Sequence, residues 1–175
     1  MAELNSRDRL QPSLLDRLID NEPNAQKETA EARALSRQQL RAAVLRDLSW
    51  LFNATRPEPE PQSERHDEIE LWAREDHARR SVVNYGMPAF AGATLSSMNR
   101  RTIERSVAEA IRNFEPRIDP DSLGVEVRVD TSNHHNTIQL VIRGHLWAQP
   151  VPLELLLAAD MDVETGNTRV RELRA

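Results

Sequence analysis

The chain has 175 residues, 39% hydrophobic and 29% charged, enough for one domain of about 100–150 residues with a polar extension and too few for two full domains. A net charge of -5 argues against a partner bound mainly through a nucleic-acid backbone, and the lack of cysteine removes disulfides, thiolate nucleophiles and cysteine-ligated zinc together. No run approaches the roughly 18 apolar residues of a membrane span and the first ten residues are polar, so neither a span nor a secretory leader is expected and the chain is placed in the cytosol.

Pro12-Ser13-Leu14-Leu15-Asp16-Arg17-Leu18-Ile19 is a short apolar island with Ser13 as its helix cap, followed by the Glu-, Ala- and Asn-rich residues 20–34. This divides the chain into an N-terminal tail over 1–34, with a docking helix at 13–19 and a tether, and a domain over 35–175. Ser36 and Gln39 have capping-box spacing, and Leu40, Val44, Leu48 and Leu51 then share one helical face, widened at its end by Trp50 and Phe52. That helix stops near Asn53, because Pro57, Pro59 and Pro61 lack amide donors and impose extended neighbours. Residues 64–80 read as a more polar helical segment with a narrow contact through Ile69, Leu71 and Trp72. Residues 81–92 hold the single tyrosine, Tyr85, among glycines and a proline, and read as an ordered loop.

A third helix, from about Met98 to Phe114, places Ile103, Val107, Ala110, Ile111 and Phe114 on one stripe and ends at Glu115, since Pro116 disfavours helix before it. Beyond it the period becomes two. Val125, Val127 and Val129 alternate with polar residues, as do Ile138, Leu140 and Ile142, and then Leu153 through Val163; residues 130–136 are a turn, and Gly166-Asn167 leads to a short last strand. Helices followed by this meander predict an α+β domain, with helices packed on one face of a small antiparallel sheet of three to four strands.

Few residues carry recognisable chemistry. His134 and His135 fall in the predicted turn without metal-ligand spacing, so no metal site is expected. The run Asp160-Met161-Asp162 begins like a calcium loop, but Thr165 stands at the glycine position and Arg171 at the bidentate one. There is no Gly-rich phosphate loop or Gly-x-Ser-x-Gly elbow, and no cofactor is expected. The exception is Phe114-Glu115-Pro116-Arg117-Ile118. A carboxylate at a helix C-terminus opposes the macrodipole, so Glu115 is best explained if an arginine or backbone donor meets it, and Pro116 fixes its relation to Arg117.

Four motifs in order, Ser13-Leu14-Leu15-Asp16-Arg17-Leu18, Arg46-Asp47-Leu48-Ser49-Trp50-Leu51-Phe52-Asn53, Ser81-Val82-Val83-Asn84-Tyr85-Gly86-Met87-Pro88 and Phe114-Glu115-Pro116-Arg117-Ile118, resemble the TssE family. These are the lysozyme-like baseplate subunits of type VI secretion systems, and the chain is also similar to the baseplate wedge proteins of contractile phage tails. The sequence departs from that pattern at Phe52-Asn53-Ala54-Thr55 and in the proline-rich insertion and following segment over 56–77. The resemblance implies a non-catalytic adaptor at the inner face of the cell envelope, assembled with TssF, TssG and TssK. It further implies that Glu115, Pro116 and Arg117 engage the helical bundle of TssF and TssG. It also implies a part in starting the sheath of TssB and TssC, for which a sheet edge, either the third strand or residues 168–171, would template strand pairing.

Two other readings compete. Glu115, Asp119 and Asp121 supply carboxyl groups for a peptidoglycan-cleaving muramidase, which needs two of them about 5–9.5 Å apart across a sugar cleft. The same fold family also includes anti-adaptors that bind a protease adaptor, a regulatory role.

Overall fold

The computed structural model describes residues 13–18, 36–61, 63–89, 99–129, 137–148 and 152–173. Ile19, the tether at 20–34, the end of the predicted loop at 90–92, Met98 and the turn at 130–136 with His134 and His135 lie outside the described residues.

Helix α1 is Leu14–Leu18 and α2 is Arg37–Asn53. The predicted capping box at the start of α2 is made: Gln39 N–H donates to Ser36 Oγ at 3.2 Å, and Ser36 N–H donates to Gln39 Oε1 at 2.8 Å. Leu40, Val44, Leu48, Leu51 and Phe52 are buried on its inner face. Trp50 does not join them. It is 52% exposed, because one helical step from Leu51 turns it out, and the Arg46 guanidinium lies 5.2 Å from its ring centroid.

Residues 64–80 fold as two helices instead of one, α3 (His66–Arg74) and α4 (Asp76–Arg79), because the backbone leaves helical angles at Glu75. Neither helix buries a residue, and ion pairs such as Arg65–Glu68 and Glu70–Arg74 line their surfaces. A 3-10 turn, Val82–Asn84, follows. Its Asn84 is buried, accepting Glu58 N–H at 3.1 Å and donating to Glu58 Oε2 at 2.9 Å, so it ties the proline-rich loop down. Next to it, Met87 N–H donates to Ala54 O at 2.7 Å and Arg56 N–H to Met87 O at 2.9 Å. Gly86, at φ +127°, permits that approach, since a Cβ there would stand 2.6 Å from Ala54 O.

Helix α5 (Arg100–Phe114) starts at Asn99, whose side chain accepts Arg101 N–H, and buries Ile103, Val107, Ala110 and Ile111. Strands β1 (Gly124–Val129), β2 (Thr137–Leu146), β3 (Leu153–Asp162) and β4 (Thr168–Glu172) form one antiparallel sheet in sequential order. Helix α2 packs against β4 and α5 against β1, so the inner sheet face and the two long helices enclose the core around Leu48, Ile111, Leu140, Ile142 and Leu157. This is the predicted α+β architecture. On the outer face Val141 and Ala158, paired across β2 and β3, are also buried, flanked in the same row by Glu126 and Arg171. Strand β3 lies between β2 and β4 and is not a sheet edge; of the two candidate edges, only the one at 168–171 is at the margin. An apolar alternation reports one buried face and says nothing of whether both strand flanks are paired.

Candidate functional site: a charge cluster at the end of helix α5

Helix α5 ends where Glu115 N–H donates to Ile111 O at 2.8 Å and the chain turns through Pro116. The next residues are held by main-chain pairing to the end of β2: Trp147 N–H donates to Arg117 O at 2.8 Å and Asp119 N–H to His145 O at 2.9 Å. Arg117 is thus fixed from both sides, and its side chain folds back over the helix end.

There it forks onto Glu115. Arg117 Nε donates to Glu115 Oε1 at 2.6 Å and Nη2 to Oε2 at 2.5 Å, while the Arg117 N–H reaches Oε1 at 3.2 Å. Glu115 is only 2% exposed, so both lone-pair systems of a buried carboxylate are met by one planar cation, the bidentate geometry that arginine supplies. The macrodipole conflict read from the sequence is resolved within the chain itself. Pro116 is exposed and shapes the turn.

The cluster extends to residues not singled out as site residues from the sequence. Arg117 Nη2 also donates to Asp47 Oδ2 at 2.5 Å, and Asp47 Oδ1 accepts from Arg46 Nε at 2.8 Å. Arg46 Nη2 lies 2.9 Å from Asp16 Oδ1, and Asp16 Oδ2 accepts the Ser13 hydroxyl at 2.6 Å. A continuous chain of opposite charges therefore runs from α1 through α2 to Glu115. Tyr85 meets Phe114 edge-on with centroids 5.2 Å apart. All four motifs meet in this one place.

The charges raise and lower one another's proton affinities. Burial opposes the Arg117 charge, but the hydrogen bonds and charge of Glu115, then those of Asp47, outweigh it and hold the guanidinium more firmly protonated than usual. Asp16 is likewise penalised by burial, yet the Ser13 hydrogen bond and Arg46 keep its pKa below the ordinary carboxylate value. Burial, then the charges of Asp47 and Glu115, push the Tyr85 hydroxyl up. Among the described residues, Arg117 Nη1 is buried without a hydrogen-bond partner.

This arrangement gives Glu115 no role as a general acid, since its oxygens are both held by Arg117 away from solvent. Asp119 accepts the Asp121 N–H at 3.2 Å in a local turn. A cleft of about 180 Å³ does open elsewhere, between residues 52–55, 87–89 and 165–167, but no aspartate or glutamate lines it. The carboxyl groups read from the sequence, Glu115, Asp119 and Asp121, do not line that cleft.

Fold and cluster together define a class: a small α+β protein with one four-stranded sheet among the described residues, whose buried Glu115 is locked into a structural ion pair at the junction of two helices and a strand. The family model for baseplate wedge protein gp25 matches residues 38–151, and the chain belongs to that family, whose type VI secretion homologue is TssE. The match takes in Arg46, Asp47, Glu115, Pro116 and Arg117, and leaves α1, β3 and β4 outside it. No curated protein and no solved structure matches the chain. Its family makes it a structural component of a contractile-tail or type VI baseplate, and among the described residues no helix is long and apolar enough to cross a membrane.

Proposed function

We propose that the chain is a non-catalytic baseplate subunit of a type VI secretion system, working in the cytoplasm at the inner face of the cell envelope. It joins a wedge of TssF and TssG, with TssK, to the contractile sheath of TssB and TssC and helps the sheath begin. Glu115, Pro116 and Arg117 are its contact with the TssF–TssG bundle.

The observation that carries this reading is the convergence of all four motifs on the Glu115–Arg117–Asp47 cluster. A buried ion pair adds little net stability over a well-packed apolar contact, whereas a partner that covers its exposed side and supplies matching groups gains both affinity and register. Two tryptophans border it, Trp50 under Arg46 and Trp147 bonded to the Arg117 carbonyl, at 52% and 66% exposure. Large aromatic side chains beside fixed charges are what binding hot spots are made of.

Capture of TssF and TssG by the purified chain tests it, comparing wild type with Glu115→Ala, Arg117→Ala and Asp47→Asn after circular dichroism shows each to be folded. Truncating one member of a desolvated charge pair costs about 2–5 kcal/mol, so retention should fall at least about 30-fold. Undiminished capture by folded variants overturns the assignment of the site.

A further inference from the structure

The two edges of the sheet are closed by helix side chains, and not equally. On β1, Val127 N–H donates to Glu104 Oε1 of α5 at 3.0 Å. On β4, Asn53 of α2 acts as a strand residue would: Thr168 N–H donates to Asn53 Oδ1 at 2.9 Å and Asn53 Nδ2 donates to Thr168 O at 2.8 Å. The ladder settles which groups remain. Asp162 N–H bonds Asn167 O and Leu173 N–H bonds Leu156 O, so odd-numbered residues of β4 face β3 and even-numbered ones face outward. Val170 and Glu172 therefore turn two N–H and two C=O groups away from the sheet, and beyond them Arg41 closes the far end, donating to Glu154 O at 2.8 Å and to Glu172 Oε1 at 2.5 Å.

We propose that Asn53 is a register stop, which lets an incoming strand pair with β4 only at Val170 and Glu172 and so fixes where the partner begins. The proposal rests on β4 being the edge that meets the sheath. The occupant it fits is an extended segment of a sheath subunit with acidic residues alternating with apolar ones. Arg169 and Arg171 stand exposed on the outer sheet face beside the open edge, Arg171 with its Nε donating to Asp160 Oδ2 at 3.1 Å, and half-buried Val170 lies on the inner face. Without the stop, Thr168 becomes a third pairing residue and the partner can slide by two positions, about 6.8 Å, while keeping every side chain on its own face. Since a baseplate must present the first sheath ring in one geometry, that slip is the error Asn53 prevents.

The test uses the whole chain with a photocrosslinking phenylalanine derivative at position 169 or 171 and purified TssB and TssC, the linked residues being read by mass spectrometry. Wild type should give one linked partner residue from each position, and Asn53→Ala should add a second set displaced by two residues. Asn53→Asp, which retains the acceptor for Thr168 N–H but loses the donor to Thr168 O, should do the same. In the free protein, the Thr168 amide should exchange slowly in wild type and as fast as those of Val170 and Glu172 in Asn53→Ala. A single unshifted set from folded Asn53→Ala, or a Thr168 amide already unprotected in wild type, overturns the register stop. Val170→Pro removes an outward donor and no bond of the β3–β4 ladder, together with the packing of the Val170 side chain on the core, so circular dichroism first shows that it is folded. If it leaves crosslinking unchanged, or if wild type gives none, the β4 edge reading fails and the stop with it, whatever Asn53 does to exchange.

Discussion

Replacing Arg117 by methionine keeps most of the side-chain volume and removes the guanidinium that serves both oxygens of Glu115 and one of Asp47. Of these contacts Glu115 would retain only the Arg117 N–H at 3.2 Å, at 2% exposure. Removing one partner of a buried pair costs about 3–5 kcal/mol. The Arg117 and Asp47 side chains keep 21% and 25% exposure, so water fills part of the gap and the lower end, about 3 kcal/mol, applies. For a chain of this size that is a fall in Tm of roughly 6–12 °C. Urea unfolding followed by circular dichroism gives the loss directly, as a shift in midpoint at constant slope. The same reasoning demands that Glu115→Met combined with Arg117→Met recover at least half of the loss, because the orphaned carboxylate has gone. A single-variant loss under about 1 kcal/mol would make the pair an ordinary surface one and refute the argument. So would a double variant as unstable as the sum of its parts.

Three more outcomes follow from the same geometry. Since the folded pKa of Asp16 lies below its ordinary 3.8, its contribution to docking α1 is complete above that value and is lost as the pH falls through the lowered one. Trp50 fluorescence, with Trp72 and Trp147 changed to phenylalanine, should report an acid transition that Asp16→Asn abolishes; a transition that survives Asp16→Asn assigns it elsewhere. Tyr85 is the single tyrosine, so near-ultraviolet absorbance titrates it alone and should place its ionisation above 10. Because the folded chain favours the protonated phenol, stability should be intact below pH 10 and decline as the pH rises beyond it; an ordinary titration contradicts the burial of the hydroxyl beside Asp47 and Glu115. Gly86→Ala forces a Cβ to 2.6 Å from Ala54 O at φ +127° and should cost about 1–3 kcal/mol in urea unfolding, whereas an unchanged midpoint would show that the backbone contact there is loose.

What could be read from the sequence was local. The capping box at Ser36 and Gln39, the stripe from Ile103 to Ile111 and the alternation in β1 to β3 all depend on residues within two turns or one strand of each other, and each appears in the structure. The misjudged elements depended on what lay across the fold. The apolar character of Trp50 reads it onto the buried face, but Leu51 and Phe52 occupy that face and Arg46 covers the indole from outside. The inner position of β3 did have a signal: Val141 and Ala158 break the polar side of their strands, and they pair at the middle of the outer face, where strands on both flanks bury them. For the site, Glu115 and Arg117 were legible because they are two residues apart around a proline. Asp47 lies 70 residues before Arg117, and Asp16 joins only through Arg46. No spacing rule connects charges at such separations; what marked them was their presence in the same four motifs.

That distribution bears on why the cluster is ionic at all. A well-packed apolar junction between α2, α5 and the end of β2 would be at least as stable as a buried ion pair, so stability alone does not account for Glu115 and Arg117. What the charges add is direction. The Nε and Nη2 fork holds the Glu115 carboxylate in the guanidinium plane, and the sharing of Nη2 with Asp47 ties α2 to the turn after α5. Apolar contacts would tolerate a slide of either element. The same residues carry the two exposed tryptophans outward, one through Arg46 and one through the Arg117 carbonyl. An assembly subunit that must offer a partner one surface gains more from fixing those positions than from a further increment of folding energy. On this view the Asn53 clamp on Thr168 is the same device applied further along α2, at its last residue, where a side-chain amide limits which backbone groups the sheet edge can present.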